Sequence, residues 1–242
     1  MFTTAVQWQV MTSNPCARVK PPKKNKKEAV YLEKEDVEKL LIDLEHEELV
    51  YIALIQLYLF TGMRRGEALG LTWRDINFEK NLIDINKERI YVHNQGVIVD
   101  TPKNETSVRV IKVPTCVMEL LKAWKEQQNK NRLIYGDMYF VSDWVFTNIL
   151  GKPFHSDSIS SWFRNFIDKN NLPKIHLHSL RHTNASLLIA SGIDIKTVSK
   201  RLGHSNVQTT GVIYTHQLRM ADETAADTLE LLFDKKSSAA NA

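Results

Sequence analysis

Cysteine is scarce in this 242-residue chain, and long hydrophobic runs are absent from it. Cys16 and Cys116 form neither a disulfide framework nor a pair at metal-ligand spacing, so reduced thiols are expected. No apolar run approaches the ~18 residues of a membrane span. The amino-terminal stretch MFTTAVQWQVMTSNP lacks the charged region and the apolar segment of a signal peptide. These absences predict a cytoplasmic protein that does not contact a membrane.

Acidic residues are missing from one stretch of the chain and rare in another, although the net charge is only +4. Residues 18–27, RVKPPKKNKK, hold six Lys or Arg and no acid. Residues 174–216 hold five Lys or Arg and five His, with Asp194 as the single acid. Separated basic zones of this kind indicate a polyanionic partner such as nucleic acid. A solvated surface is the alternative, because charge runs often have no partner.

Hydrophobic periodicity predicts helices along most of the chain. The run ELVYIALIQLYLFTG is apolar on nearly all sides, which predicts a buried helix that ends at Gly62. A late helix is expected over residues 194–202, with Asp194 as its N-cap and Gly203 just beyond its end. The other predicted helices are residues 1–13, LEKEDVEKLLIDL, RRGEALGLTW, 114–128, 156–169, 179–190 and a last amphipathic helix, MADETAADTLELLF.

Residues 82–113 follow a different period. The segments LIDINKERIYV, GVIVDTP and SVRVIKVP are short, alternating and rich in β-branched residues, and HNQG and KNET separate them. This pattern predicts a three-stranded antiparallel sheet. The fold class is therefore α+β, a mainly helical domain with one small three-stranded antiparallel sheet.

Side chains suited to phosphoryl transfer are concentrated in four stretches. Two Arg can bind a phosphodiester through bidentate bonds and neutralise its developing charge. Tyr can attack phosphorus, Lys can protonate the leaving hydroxyl, and His can accept or hold the proton of the nucleophile. No carboxylate cluster stands where a metal would bind, so the positive charge would come from the protein. The stretches are TGMRRGEALGL, TPKNETSVRVIKVP with Lys103, HLHSLRHT with His178 and Arg181, and RLGHSNVQTTGVIYTH with His204 and Tyr214.

The order of these motifs resembles the catalytic domain of tyrosine recombinases, the family of phage and transposon integrases. The pattern T-G-apolar-Arg-x-G-Glu assigns the first catalytic arginine to Arg64 and its supporting carboxylate to Glu67. The lysine of the family's β-hairpin corresponds to Lys103. A solvated lysine is the alternative at that position, because lysines are common in hairpin turns.

The later motifs of the family fall in the basic zone at residues 174–216. His-x-x-Arg corresponds to His178 and Arg181, L-G-H to His204, and the nucleophile to Tyr214. His182 is expected to buttress the site or to bond within the core. Helix capping is the alternative role for His204, and core packing is the alternative for Tyr214.

The resemblance implies DNA strand transesterification. The tyrosine forms a 3′-phosphotyrosyl link and frees a 5′-hydroxyl, and a 5′-hydroxyl from a second duplex then attacks that link. Bond energy is kept in the covalent intermediate, so neither ATP nor a metal cofactor is needed. The implied partners are double-stranded DNA attachment sites, three further copies of the chain in a tetramer on paired sites, and DNA-bending accessory proteins. The last helix is expected to dock on a neighbouring copy. The complex is expected to lie in the bacterial nucleoid.

The resemblance also implies a domain organisation. Residues 1–28 correspond to the last helix of a core-binding domain and a basic linker that contains Pro15, Pro21 and Pro22. Residues 29–233 correspond to the catalytic domain, and residues 234–242 form a polar tail. The chain is therefore expected to be a catalytic fragment of a mobile-element integrase.

Three other functions stay open on the sequence. A chromosome-resolving recombinase of the same family and a type IB topoisomerase share the chemistry. A DNA-binding protein without catalysis would use the basic 174–216 region for phosphate contacts alone. Such a protein would not cleave DNA, so Tyr214→Phe would change no cleavage activity.

Overall fold

The structure, a computed structural model, describes residues 1–20, 30–92, 96–100 and 107–203. Lys103, His204, Tyr214 and the predicted last helix lie outside the described residues. The described α-helices are α1 (Phe2–Gln7), α2 (Lys34–Leu44), α3 (Leu49–Thr61), α4 (Arg65–Leu69), α5 (Thr115–Tyr135), α6 (Ser156–Lys169), α7 (Leu177–Ala190) and α8 (Ile195–Leu202). None of these described helices is long and apolar enough to cross a membrane.

Helix α3 lies at the centre of the described domain, packed against α5 and α7. Its residues are apolar around the whole helix, and eight of the thirteen are buried. The burial of all sides explains why the sequence shows no polar face there. The helix ends at Gly62, whose backbone is left-handed with φ +65°, so the predicted position of this helix end is confirmed.

Gly62 is required at this turn for a second reason, which leads to a stability prediction. A Cβ added to it would collide with the side chain of Leu202 and approach Oδ1 of Asn184 to 3.0 Å. We expect Gly62→Ala to lower the free energy of unfolding by about 2–4 kcal/mol, from left-handed strain and overpacking together. Urea denaturation measures this change.

Gly192 provides the matched control. It also has a left-handed backbone, with φ +81°, but nothing lies within 4 Å of an added Cβ. Gly192→Ala should therefore cost only the backbone strain, about 1–2 kcal/mol. An equal cost at both glycines would show that the crowding around Gly62 has no energetic weight.

The described β strands form two sheets. These strands are β1 (Ile76–Asn77), β2 (Leu82–Ile85), β3 (Glu88–Val92), β4 (Gly96–Asp100) and β5 (Arg109–Lys112). Strands β1, β2 and β5 form the three-stranded antiparallel sheet, and β3 pairs only with β4 among the described strands. The predicted fold class is confirmed. The sheet's membership differs, because the segment LIDINKERIYV is two strands that belong to different sheets.

The interruption between β2 and β3 has a polar cause. Lys87 donates from Nζ to both carboxylate oxygens of Asp75, at 2.7 and 2.6 Å. Asn86 donates from Nδ2 to Asp75 and to Asp84 at 3.2 and 3.0 Å. Asp75 is almost fully buried, and burial alone would raise its pKa, but the hydrogen bonds from Lys87, Thr72 and Asn86 outweigh burial and lower it. The chain therefore turns at residues 86–87 to satisfy this carboxylate instead of continuing as one strand.

Helices α7 and α8 bring the basic zone onto α3. Asp194 caps α8, since its Oδ1 accepts from the backbone N–H of Lys196 and of Thr197 at 3.0 and 2.9 Å. Gly203 follows α8 with φ +70°. Both predicted cap positions are confirmed. Helix α7 begins two residues earlier than predicted, so His178 lies in its first turn.

Candidate active site

Arg64 and Glu67 form the first part of the site, at the start of α4. Arg64 is the N-cap residue of this short helix, directly after the Gly62 turn. Its backbone N–H donates to Oε2 of Glu67 at 2.8 Å, and its Nη1 donates to Oε1 at 2.8 Å. Nη2 donates to the carbonyl oxygen of Gly203 at 2.9 Å. Gly203 immediately precedes His204, so Arg64 binds the segment that leads to that residue.

Glu67 is a buried carboxylate with two arginine partners. Its side chain is 1% exposed. Arg109 donates to it in a bidentate manner, from Nη1 to Oε1 at 3.1 Å and from Nη2 to Oε2 at 2.9 Å. Burial by itself would raise the pKa of Glu67, but the bonds and charges of Arg109 and Arg64 outweigh burial and lower that pKa. Glu67 is therefore an anion at neutral pH, and it accepts two hydrogen bonds from Arg64.

Arg181 approaches the same turn from helix α7. It is 2% exposed, and its Nη1 donates to the carbonyl oxygen of Gly62 at 2.7 Å. This contact joins residues 119 positions apart in the chain. Arg64 follows Gly62 by two residues and Arg181 bonds to its carbonyl oxygen, so backbone and carboxylate partners hold both guanidinium groups near this left-handed turn.

His178 and His182 lie one helical turn apart on α7. Their rings make an edge-to-face contact, with centroids 4.9 Å apart. Partial burial lowers the pKa of His178, and the charges of Arg181 and Arg64 lower it further. Burial, His178 and Arg181 lower the pKa of His182 to about 4. Both imidazoles are therefore neutral at pH 7, the state in which a ring nitrogen can accept a proton.

A cavity of about 410 Å³ opens beside His178. Its lining includes Arg65, Arg164 and Ser160, and Nη1 of Arg65 donates to Oγ of Ser160 at 2.7 Å. His176 also lines it, at the N-cap position of α7. Arg65 is a partly exposed cation there.

The comparison with known proteins decides the family. Residues 9–220 match the model of the phage integrase family. The chain belongs to the phage integrase family. The resemblance predicted from the four motifs is confirmed.

Curated relatives of this integrase-family chain include two bacterial proteins. It is 31% identical over 249 residues to a XerC-like tyrosine recombinase of Caldanaerobacter subterraneus subsp. tengcongensis, covering 96% of this chain and 63% of that protein. It is 30% identical over 230 residues to the ICEBs1 integrase of Bacillus subtilis, covering 95% of this chain and 62% of that protein. The chain thus spans less than two thirds of the length of either relative.

A solved structure shows the same fold. The Tn1549 transposon integrase, in complex with transposon right end DNA, superimposes with a TM-score of 0.74 at 22% identity. The match covers 93% of this chain and 75% of that one. The fold of this integrase-family chain is therefore that of an integrase, mainly helical with small antiparallel sheets.

The structure places five of the eight predicted site residues and adds one that the sequence interpretation missed. Three predicted residues, Lys103, His204 and Tyr214, lie outside the described residues. The missed residue is Arg109, in β5. A signal for it was present, because side chains two apart in a strand share a face. Ile111 and Val113 are buried, so Arg109 had to point inward with them, where a cation needs a partner.

Proposed function

We propose that this chain is the catalytic part of a site-specific tyrosine recombinase, the integrase of a mobile element. The observation that carries the proposal is the pair of immobilised arginines, Arg64 and Arg181, at the Gly62 turn. Burial lowers the pKa of His178, and the charges of Arg181 and Arg64 lower it further. Two fixed cations beside a neutral imidazole suit a phosphodiester whose charge grows during the reaction. The names of the relatives, integrase and tyrosine recombinase, agree with this chemistry.

The proposed cleavage step transfers one phosphoryl group. Oη of Tyr214 attacks the phosphorus of one DNA strand, and its proton passes to His178 or His204. A bond from phosphorus to the tyrosine oxygen forms while the bond to the 5′-oxygen breaks. Lys103 protonates that departing oxygen, which becomes a 5′-hydroxyl. The 3′-phosphotyrosyl link keeps the bond energy, so a second 5′-hydroxyl can reverse the step and exchange strands without ATP.

Arg64 and Arg181 supply the positive charge in this scheme. Among the described residues, the side chain of Arg64 makes two hydrogen bonds, which use two of its five N–H donors. The other donors suit the non-bridging oxygens of a phosphate. Arg181 donates from Nη1 to the carbonyl oxygen of Gly62, which holds its guanidinium group at the same turn. In the proposed step, the positive charge comes from side chains of the protein.

The partners and the domains follow from the same proposal. The substrate is double-stranded DNA at paired attachment sites in the bacterial nucleoid, bound by a tetramer of chains with DNA-bending accessory proteins. Residues 29–233 form the catalytic domain, residues 1–28 belong to a preceding helix and linker, and residues 234–242 are a tail. A hydrogen bond from the backbone N–H of Leu32 to Oγ1 of Thr183, at 2.9 Å, supports the start of the catalytic domain near residue 29.

Covalent trapping tests the proposal. The chain is incubated with a pool of nicked duplexes in EDTA, denatured in SDS, and examined for a slower DNA-linked band. Mass spectrometry then maps the attached residue. We expect an EDTA-resistant adduct at Tyr214. Failure of the full-length gene product to form any adduct on the attachment site of its own element would contradict catalysis and favour the DNA-binding protein without catalysis.

A further inference from the structure

We propose that Arg109 is a positioning residue for strand cleavage, which holds the carboxylate of Glu67 and the end of α8 so that Arg64 keeps both its orientation and its positive field. The inference rests on the proposed function, because it concerns the same site. Arg109 stands in the second stretch, TPKNETSVRVIKVP, but it is not one of the candidate catalytic residues. It touches no reacting atom in the proposed step, and it acts through Arg64.

The guanidinium of Arg109 joins three segments of the chain. It makes a bidentate pair with Glu67 in α4. Its Nε donates to the carbonyl oxygen of Arg201 in α8 at 2.7 Å, and its Nη1 donates to that of Ser107 at 2.9 Å. Only 7% of the Arg109 side chain is exposed, so these hydrogen bonds are largely shielded from water. Hydrogen bonds in such surroundings are stronger, and their loss costs more free energy. One side chain thus connects α4, which begins directly after Arg64, with the segment that follows Lys103 and with the segment that precedes His204.

Glycine at position 203 allows this close approach. A Cβ added to Gly203 would lie 2.7 Å from Nη1 and 3.1 Å from Cζ of Arg109. The same glycine offers its carbonyl oxygen to Nη2 of Arg64. Arg201 adds a second connection, since its Nη2 donates to the carbonyl oxygen of Lys112 in β5 at 3.1 Å. One hydrogen bond from Arg109 to α8 and another from Arg201 to β5 therefore connect strand β5 to the end of α8.

The charge balance explains why the reaction needs Arg109 and not only the fold. Glu67 carries one negative charge, and Arg64 and Arg109 carry one positive charge each, so the cluster has a net charge of about +1 at neutral pH. Without Arg109 the Arg64–Glu67 pair would be neutral. A neutral pair attracts a phosphate far less than a net cation does, most of all in a site shielded from water. Arg109 therefore leaves the charge of Arg64 available to the phosphate.

The test compares Arg109→Met, Arg109→Lys and the double variant Arg109→Met with Glu67→Gln. The rate of Tyr214 adduct formation at saturating nicked DNA and the Kd for the same DNA are measured on samples shown to be folded by near-UV circular dichroism. We expect Arg109→Met to slow adduct formation about 100-fold and to change Kd less than about threefold. Arg109→Lys keeps the charge but loses the bidentate geometry, so we expect a loss of about tenfold.

The double variant separates a charge and positioning role from a merely structural one. Glu67→Gln removes the negative charge that Arg109 balanced, so the double variant should recover about tenfold of the lost rate. A structural role predicts the opposite, because a second change in the same buried cluster would lower the folded fraction further. A folded Arg109→Met protein that cleaves at the wild-type rate, or a double variant slower than Arg109→Met, would overturn the inference.

Inorganic phosphate gives a readout that does not depend on DNA cleavage. Its binding is followed by the NMR signals of the His178 imidazole, which lies within the field of Arg64. We expect Arg109→Met to weaken phosphate binding about tenfold, and the double variant to restore it. An unchanged phosphate affinity would count against the inference even if wild-type protein forms adducts. Restored phosphate binding in a protein that forms no adduct would instead contradict only the proposed function.

Discussion

The Tyr214→Phe variant is expected to form no covalent adduct with DNA and to bind the same DNA with nearly unchanged affinity. Phenylalanine lacks the oxygen that attacks phosphorus, so the covalent link cannot form at this position. Affinity for DNA comes mostly from Lys and Arg contacts to phosphates, which this change leaves in place. Adduct yield on nicked duplexes and fluorescence anisotropy with the same DNA measure the two properties.

Tyr91→Phe is the matched control for this variant. Tyr91 lies in strand β3, 49% exposed, with its ring against His155, and it belongs to no motif of the site. We expect this control to form the adduct at the wild-type rate. If Tyr214→Phe kept the adduct, or if it lost adduct and affinity in parallel, the assignment of Tyr214 as nucleophile would be wrong. The parallel loss would indicate a structural tyrosine.

The Glu67→Ala variant is expected to lose about 3–5 kcal/mol of unfolding free energy, the cost of removing one partner from a buried ion pair. The carboxylate accepts four hydrogen bonds, two from Arg109 and two from Arg64. Its loss leaves the guanidinium of Arg109 buried without a counter-charge, and it frees Arg64 from the start of α4. Urea denaturation at pH 7 measures the change.

Two control variants provide references for the stability cost of Glu67→Ala. Glu67→Gln keeps the size of the side chain and one strong acceptor, so it should cost less than Glu67→Ala. Glu38→Ala breaks the i,i+4 pair with Lys34 on the surface of α2, where the glutamate is 61% exposed, and should cost about 0–1 kcal/mol. A similar small cost for Glu67→Ala would show that water or another group replaces the carboxylate.

The contribution of Glu67 also depends on pH in one direction. Its pKa in the folded protein is lowered, because the arginine bonds outweigh burial. A carboxylate of this kind stabilises the fold above its ordinary pKa of about 4.3, and the stabilisation is lost as the pH falls through the lowered value. The stability difference between the wild type and Glu67→Ala should therefore be constant near neutrality and should shrink in acid.

Local chemistry made several elements predictable from the sequence. Gly62 and Gly203 end helices because a left-handed residue terminates the helical hydrogen bonds, and Asp194 begins one because its carboxylate accepts from free N–H groups. These effects act over four residues or fewer. The motif order was also readable, because each motif is a short segment, and it was enough to identify the family.

Long-range polar contacts could not be predicted from the sequence in the same way. Helix α5 was predicted to stop near Gln128, where the apolar period ends, but it continues to Tyr135. Gln128 is buried there because its Nε2 donates to the carbonyl oxygen of Val145 at 3.0 Å and to Oγ1 of Thr147 at 2.7 Å. A polar residue replaces an apolar one on the inner face, so a periodicity of apolar residues cannot detect it.

The fold class, most of the helices and the order of the candidate catalytic residues could be predicted from the amino-acid sequence, because periodicity, capping and short motifs are local properties. The three-dimensional structure was needed to show that Arg64 and Arg181 meet at one turn, and that Arg109 joins Glu67 to the end of α8. Those contacts connect positions 119, 42 and 92 residues apart. The burial of Glu67 makes its arginine partners necessary, and only the folded chain establishes that burial.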